Sequence, residues 1–169
     1  MIYLYYLIMV GLALGLKLGI SDLVAIKTVT PDFVVIALCA ISMYEGRGNG
    51  TIWGLVTGFA EDVLSSGLLG AHALTRTLVS FLAGSIMSYR TLQSAYSFYA
   101  SLTVGILALF NNLILYIIVI QGGAGWIKGL LMAVFLPALY TMFWALIIFS
   151  IVPDAVWERI YKHETAPFI

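Results

Sequence analysis

The sequence predicts an all-α integral membrane protein with about six transmembrane helices. Its 169 residues are 62% hydrophobic and include only eight basic and eight acidic residues, and the mean hydropathy is +1.05. A soluble domain of this length would carry about 42 charged residues, since the usual charged fraction is roughly 25%. It would also expose roughly 30% of its unfolded-chain area to water, which so apolar a chain cannot do. The composition therefore excludes a soluble enzyme, a nucleic-acid-binding domain and a disordered chain.

The predicted helices form a single polytopic membrane domain over residues 1–169. Six helices of about 20 residues each require about 120 residues, so the rest supplies only short connections and two tails. The N-terminus is apolar, without a basic region or a clean cleavage site, and we expect it to be retained as the first helix. The predicted spans are 2–20, 31–45, 51–66, 71–88, 96–120 and 129–152.

Cap and turn residues justify the boundaries of these spans. Thr30-Pro31 predicts the start of the second helix, with Thr as the cap and Pro at the first helical position. The uncharged run that follows, 33–44, is short for a span. The segment 45–50, rich in glycine and charge, predicts a turn, and 66–70 predicts a tight reversal. The last two spans carry no charge and are the strongest of the set.

The basic residues outside the predicted helices or near their ends favour cytoplasmic termini. An even number of spans places both termini on one side, together with Arg47, Arg90, Arg159 and Lys162. The opposite side has Lys17, Lys27 and Lys128. The positive-inside rule therefore predicts that both ends lie in the cytoplasm. Because the acidic and basic residues cancel, no basic surface is expected for nucleic acid.

Glu61, Asp62 and Arg76 are the costliest charges of the predicted spans, since an Asp or Arg at a helix centre costs about 2.5 to 3.5 kcal/mol on insertion scales. Asp62 lies six residues before Leu68, the centre of the reversal, and Arg76 lies eight residues after it. At 1.5 Å per residue these offsets are about 9 and 12 Å, so both side chains reach similar depths. We therefore expect Asp62, or the adjacent Glu61, to form a structural ion pair with Arg76. Reversing both charges together should then restore a protein that is lost when either is reversed alone.

The same three charges have two alternative interpretations, a contact with a partner protein and a role in transport or catalysis. Ionisable groups inside a membrane are functional candidates by default. However, the pair is expected close to one membrane interface, with no other acid or histidine deep enough to extend a proton relay. His72 follows the turn and is expected at the interface.

Small residues recur at four-residue spacing on three predicted helices, which favours close helix packing. The three ladders are Gly11, Gly15 and Gly19; Gly50, Gly54 and Gly58; and Ser80, Gly84 and Ser88. Each ladder can pack against another helix of the same chain or against a helix of a partner. The first of them is the strongest candidate for docking a partner.

We expect neither enzymatic activity nor a bound cofactor or metal. The sequence has no HExxH, no Cys-x-x-Cys, no phosphate-binding glycine loop and no Gly-x-Ser-x-Gly. The single Cys39 cannot form an internal disulfide. In the fifth span, at least one of Asn111 and Asn112 should form a hydrogen bond across a helix interface. In the sixth, Pro137 should kink the helix.

The segment from Pro31 to Leu74 resembles the bacterial rod shape-determining protein MreD family. The shared pattern is Pro31-Asp32 before an apolar helix, then spaced glycines, an acid and a Leu-Gly turn. The residues that carry the later part are Gly50, Gly54, Gly58, Phe59, Asp62, Gly67, Leu69, Gly70, Ala73 and Leu74. This segment is about a quarter of the chain, and the first, fifth and sixth helices agree with the family only in hydropathy.

The resemblance implies a non-enzymatic subunit of the cell-elongation machinery in the bacterial inner membrane. It implies a fold similar to the substrate-binding subunits of energy-coupling-factor transporters. It also implies association with MreC and, through MreC, with the RodA glycosyltransferase, the class B penicillin-binding transpeptidase and MreB filaments in peptidoglycan synthesis. The matching positions, expected to build the fold, are Pro31, Asp32, Gly54, Gly58, Asp62 and Gly70. The alternative is a vitamin-binding S-component of such a transporter, although loops 66–71 and 121–128 offer few polar groups for a ligand.

Overall fold

The protein is all-helical over the residues that its computed structural model describes, which are 2–19, 25, 29–65, 68–86, 96–119 and 129–151. The helices are α1 (Ile2–Gly19), α2 (Phe33–Leu64), α3 (Ala71–Ile86), α4 (Tyr96–Val119) and α5 (Leu136–Ile151), with a π-helical segment, Leu131–Phe135, leading into α5. The predicted orientation and the third ladder depend partly on residues outside the described ones. These residues are Lys27, Ser88, Arg90, Lys128, Arg159 and Lys162.

Helix α2 reverses its direction at Gly46, where φ is 78° and ψ is 179°. In an unbroken helix, residues eight positions apart would be separated by about 12 Å. Instead, a Cβ atom placed on Gly50 would lie 2.5 Å from the Oγ of Ser42. The arms 33–45 and 47–64 therefore fold back on one another. Within the predicted turn 45–50, only Gly46 is non-helical. Its positive φ explains why this residue is a glycine.

The 33–45 arm lies at the centre of the molecule. Every residue from 33 to 43 is buried, and Leu38 and Cys39 have no exposed surface at all. A helix that is apolar and buried on all sides belongs to a protein core. This position explains how a run that is short for a membrane span takes its place in the bundle, because other helices surround it.

Asp32, rather than Thr30, is the cap of this central arm. One carboxylate oxygen of Asp32 accepts hydrogen bonds from the backbone N–H groups of Val34 and Val35, each at 3.2 Å. Helix α2 begins at Phe33, so Pro31 precedes the cap instead of occupying the first helical position. The predicted start lies two residues before the observed one, and the cap assignment was wrong, because the carboxylate of Asp32 accepts from the first N–H groups of the helix.

Two helical stretches are long and apolar enough to cross a membrane, Ser97–Ile118 and Leu131–Ile151, and Tyr3–Lys17 is a shorter apolar helix. The second of these stretches contains Pro137. Just before it, the N–H of Leu136 donates to the carbonyl of Leu131, five residues back. This π turn accommodates a residue that has no N–H of its own to donate.

Helix α1 lies along one side of α2. Tyr6 and Val10 pack against Ile41 of the central arm. The ring of Tyr6 also meets the ring of Trp53 edge to face, with centroids 5.9 Å apart. Both arms of α2 therefore hold α1 in place.

Candidate functional site

Arg76 is the centre of a buried group of charges near one end of the bundle. Its side chain has no exposed surface. Its Nε donates to Oε2 of Glu61 at 3.0 Å, and its Nη2 donates to Oε1 of Glu61 at 3.2 Å and to Oδ2 of Asp32 at 2.7 Å. The planar guanidinium thus holds two carboxylates at once through a fixed fork of donors, which the single ammonium group of a lysine does not provide.

Lys17 completes what we call the ion cluster, defined as Lys17, Asp32, Glu61 and Arg76. Its Nζ donates to Oε1 of Glu61 and lies 3.9 Å from Oδ2 of Asp32. Two positive charges therefore face two negative charges. A neutral, fully paired set is the form in which charges persist inside a low-dielectric interior, because an unpaired charge there is very costly.

The ion cluster connects all five described helices. Nη1 of Arg76 donates to Oδ1 of Asn111 on α4 at 3.3 Å. The backbone N–H of Asp32 donates to the hydroxyl of Thr141 on α5 at 2.9 Å. With Lys17 on α1, the two acids on the two arms of α2, and Arg76 on α3, every helix contributes a group to this layer.

Asp62 is also buried but performs a different task from Glu61. Its carboxylate accepts hydrogen bonds from the backbone N–H groups of Gly70 at 2.9 Å, of His72 at 3.0 Å and of Ala73 at 3.0 Å. It also contacts Nδ1 of His72 at 2.9 Å. The first N–H groups of a helix have no partner within the helix and attract negative charge. Asp62 at the end of α2 therefore caps the start of α3.

The predicted ion pair thus involves Glu61 and not Asp62, although the sequence argument preferred Asp62. The expectation that no other acid or histidine would reach these charges was wrong. Asp32 binds Arg76 directly, and Nε2 of His72 lies 3.7 Å from Oε1 of Glu61. Lys17, which was expected on the side of the membrane opposite to the two termini, also belongs to the charges around Arg76.

A signal for this convergence is present in the sequence. Lys17 lies near the end of α1, Asp32 begins α2, Glu61 lies near the end of α2 and Arg76 lies near the start of α3. In an up-and-down bundle with a reversal at Gly46, all four positions fall at the same end. The same reasoning places Asn111 toward this end. Helix α4 starts at the opposite end of the bundle, and Asn111 lies 15 residues after its first residue, which corresponds to about 22 Å of rise.

A small cleft gives the ion cluster access to the surface of the molecule. Its volume is ≈ 110 Å³. Drug-sized ligands occupy pockets of about 300 to 1,000 Å³. The lining residues are Leu14, Lys17, Glu61, Leu64, Ser65 and His72. The cleft has room for a few water molecules, each of which takes about 30 Å³ in the liquid.

The glycine ladder at positions 50, 54 and 58 lies inside the molecule. A Cβ atom on Gly54 would lie 2.5 Å from the carbonyl oxygen of Arg76, and one on Gly58 would lie 2.5 Å from the Cα of Ala73. These contacts are with the backbone of α3, so no side chain fits. The ladder brings the two helices close enough for Glu61 and Asp62 to reach their partners on α3.

The third ladder lies partly in the same packing layer. A Cβ atom on Gly84 would lie 2.6 Å from the backbone N of Arg47, and the Oγ of Ser80 faces Gly54. Small residues from both helices therefore meet along the contact between the 47–64 arm and α3.

The glycine ladder of α1 is open. Cβ atoms built on Gly11, Gly15 and Gly19 would meet nothing within 4 Å among the described residues. The buried face of α1, with Tyr6, Val10 and Ala13, points toward α2, and at 100° per residue the glycines lie on the opposite side. This ladder has no role in the packing of the described helices.

The charged groups of the site are engaged with one another and with a helix start. Within the described ranges, no group of three His, Cys, Asp or Glu residues is placed to hold a metal ion. Each charge of the ion cluster is paired, and Asp62 is occupied by the start of α3. Together the fold and these pairs define a helical membrane protein whose buried charges hold its helices together.

The family follows from comparison with known proteins. A family model described as rod shape-determining protein MreD matches residues 1–154, and the chain belongs to the MreD family of shape-determining membrane proteins. The matched part includes α1, α4 and α5, so the relationship extends far beyond the segment from Pro31 to Leu74. No curated protein and no solved structure matches the chain.

Proposed function

We propose that the chain is a non-enzymatic scaffold of the MreD type in the bacterial inner membrane. In this proposal it crosses the membrane six times with both termini in the cytoplasm, in a fold similar to the substrate-binding subunits of energy-coupling-factor transporters. It binds MreC and, through MreC, helps to organise RodA, the class B penicillin-binding transpeptidase and MreB during peptidoglycan synthesis. The family match over residues 1–154 is the observation that carries the proposal.

The use of the buried charges supports a scaffold role. Arg76 has no exposed surface and its donors are directed to Asp32, Glu61 and Asn111. A transport or catalytic site requires groups that are free to bind a substrate, whereas these groups are occupied by one another. The ion cluster therefore acts within the protein, and what remains for function is the surface that the bundle presents.

The open ladder of α1 supports a helix of MreC as the partner that the scaffold binds. Ladders of small residues let two helix backbones approach closely in a membrane, where there is no hydrophobic drive for association. The ladder at 50, 54 and 58 shows this use within the molecule, and that at Gly11, Gly15 and Gly19 has its face free among the described residues. MreC, as a protein that spans the membrane once, has one helix available for such a contact.

Depletion of the protein in its rod-shaped host tests the scaffold role. We expect rounded cells and a reduced recovery of MreC together with the two wall synthases. Cells that remain rods, with unchanged recovery of these proteins, would contradict the proposal.

The docking face is tested separately by Gly15→Leu, with Gly48→Leu as the matched control. Both glycines have nothing within 4 Å of an added Cβ, but Gly48 lies beside the reversal of α2. We expect Gly15→Leu to lower co-purification of MreC at an unchanged yield of folded protein, and Gly48→Leu to leave it unchanged. Equal co-purification from both variants would show that MreC binds elsewhere.

A further inference from the structure

The composition of α1 does not determine which side of this helix faces the bundle. Among its 18 residues only Lys17 is charged, and the others are apolar, glycine or tyrosine. In water the apolar side of a helix turns toward the core, but lipid tails are as apolar as leucine, so this driving force is absent in a membrane. The side that α1 turns toward α2 is therefore selected by particular contacts.

The side of α1 that faces α2 is a single narrow stripe. Tyr6, Val10 and Ala13 are buried along it, and Lys17 ends it with a contact to Glu61. At about 100° per residue, the four positions of the stripe lie within about 60° of one another, and the glycine ladder of α1 is centred about 170° away from them. The contacts of this stripe therefore decide that the ladder points away from α2.

The apolar contacts of the stripe permit rotation of α1 about its own axis. A rotation would exchange Val10 for other apolar side chains that are now exposed, such as Leu7 and Leu12, and such an exchange costs little in a membrane. The rings of Tyr6 and Trp53 meet with centroids 5.9 Å apart. Aromatic pairs keep contact over separations of about 4.5 to 7 Å, so this pair tolerates some movement of the helix.

Lys17 is the residue of the stripe that a rotation would affect most. Its Nζ donates to Oε1 of Glu61 and lies 3.9 Å from Oδ2 of Asp32. A rotation would turn the ammonium group toward lipid, where a charge is costly, and would remove one donor from Glu61. Arg76 would still bind both acids. The contact of Lys17 therefore opposes rotation of α1 strongly, while the rest of the ion cluster does not depend on it.

We propose that Lys17 is the positioning residue of α1, because its ion pair with Glu61 fixes the rotation of this helix and turns the glycine ladder outward. Arg76 holds the core of the bundle together, whereas Lys17 acts on one helix. If MreC docks on the ladder, Lys17 controls that docking without touching the partner. This last consequence rests on the proposed function, and the rotation of α1 does not.

Disulfide cross-linking of the full-length protein in liposomes measures this rotation. In a Cys39→Ala background, one protein carries Val10→Cys with Ile41→Cys, and a second carries Gly11→Cys with Ile41→Cys. Both are oxidised with copper phenanthroline, and the disulfide is quantified by mass spectrometry of the intact protein after alkylation of free thiols. We expect several-fold more disulfide in the first protein, because Val10 packs against Ile41 and an added Cβ on Gly11 meets nothing within 4 Å.

The variant Lys17→Met with Glu61→Gln removes the ion pair and keeps the charges balanced, since Asp32 and Arg76 remain. We expect the ratio of disulfide between the two cysteine pairs to fall several-fold, toward equal cross-linking. Lys17→Arg is the matched control, which keeps the positive charge and should keep the original ratio. An unchanged ratio in the charge-balanced variant would overturn the proposal. Loss of its folded protein on size-exclusion chromatography would overturn it as well, because Lys17 would then serve folding and not the rotation of one helix.

Co-purification of MreC with the same variants tests the consequence for docking. We expect Lys17→Met with Glu61→Gln to lower it and Lys17→Arg to retain it. The two proposals fail separately. Unchanged binding of MreC to Gly15→Leu would reject the ladder as the docking face and leave the cross-linking result valid, whereas an unchanged cross-linking ratio would reject the role of Lys17 even if MreC docks on the ladder.

Discussion

The contact between α2 and α3 and the outer face of α1 carry the same glycine spacing but opposite surroundings. In the first, added Cβ atoms on Gly54 and Gly58 would lie 2.5 Å from the backbone of α3. In the second, Cβ atoms on Gly11 and Gly15 would meet nothing within 4 Å in the described part of the chain. Spacing alone therefore shows that a close contact is possible, and only the packing shows which ladder the protein uses for its own fold.

The closed contact differs from the open face also in the charges beside it. Glu61 and Asp62 follow Gly58 on the same arm and reach Arg76 and the start of α3. On the outer face of α1, the neighbours of the glycines are exposed apolar residues such as Leu4, Leu7 and Leu12. We conclude that the first region determines whether the protein folds, whereas the second is uncovered by the helices that the structure describes.

The largest loss is expected from the double variant Glu61→Arg with Arg76→Glu. It would place an arginine beside Lys17 and a glutamate beside Asp32, so two like-charge contacts arise where each charge had an opposite partner. Breaking one buried pair costs about 3 to 5 kcal/mol, and this variant breaks the set and adds repulsion. We expect as little folded protein as from either single reversal, measured by size-exclusion chromatography in mild detergent. Restored yield would show that Glu61 and Arg76 act as an isolated pair.

Arg76→Leu should destabilise the protein by about 3 to 5 kcal/mol, because it leaves Asp32 and Glu61 with only Lys17. Arg76→Lys keeps the positive charge and loses the fork of donors, so a smaller loss is expected. Thermal unfolding midpoints in detergent provide the measurement. Equal midpoints for Arg76→Leu and the wild type would contradict the central place of this residue.

Gly58→Leu should cost about 3 kcal/mol, the upper part of the usual range for overpacking. The added side chain meets the backbone of His72 and Ala73, which cannot rotate away. The same measurement applies, with Gly48→Leu as the control for a glycine that has free space. A midpoint that matches the control would show that α3 can move outward without loss.

Asp62→Ala should cost about 2 kcal/mol, the upper value for loss of a helix cap. It removes the acceptor for three N–H groups at the start of α3. Asp62→Asn retains one oxygen and should be milder. Hydrogen–deuterium exchange at residues 70–73 should rise in Asp62→Ala before it rises elsewhere, and unchanged exchange there would argue against the cap.

Gly15→Leu should have the smallest effect on stability, within about 0.5 kcal/mol, as is usual for surface positions without special contacts. Its unfolding midpoint should equal that of the wild type even where binding of MreC is lost. A loss of stability comparable to that of Gly58→Leu would show that the ladder of α1 packs inside the molecule, and the comparison of the two regions would fail.

Much of this fold follows from composition and periodicity. The apolar runs predict where the helices lie, and glycine at a charged segment predicts the reversal, since only one residue, Gly46, has to leave the helical conformation. The cap at Asp32 was missed because Thr30 and Asp32 are both good caps and the choice depends on Arg76, 44 residues away. Local sequence does not contain that contact.

The candidate site was predicted in its location but not in its membership. The comparison of helix rise predicted that an acid of the 47–64 arm lies at the same depth as Arg76. Helix rise gives no information beyond this depth. It could not distinguish Glu61 from Asp62, because adjacent residues point about 100° apart and the rotation of the helix is set by Gly54 and Gly58 against α3. Lys17 and Asp32 come from other helices, so their approach depends on tertiary packing.

The lengths of α3 and α4 have a consequence for the membrane around the protein. Helix α3 has 16 residues and α4 has 24, which correspond to about 24 and 36 Å. A hydrocarbon layer of about 30 Å is thicker than the first and thinner than the second. In the proposed topology, lipids beside the described part of α3 would shorten and α4 would tilt, at a modest cost per ångström of mismatch. Such a bundle would create a thin border on one side, where proteins with short spans would be favoured as neighbours.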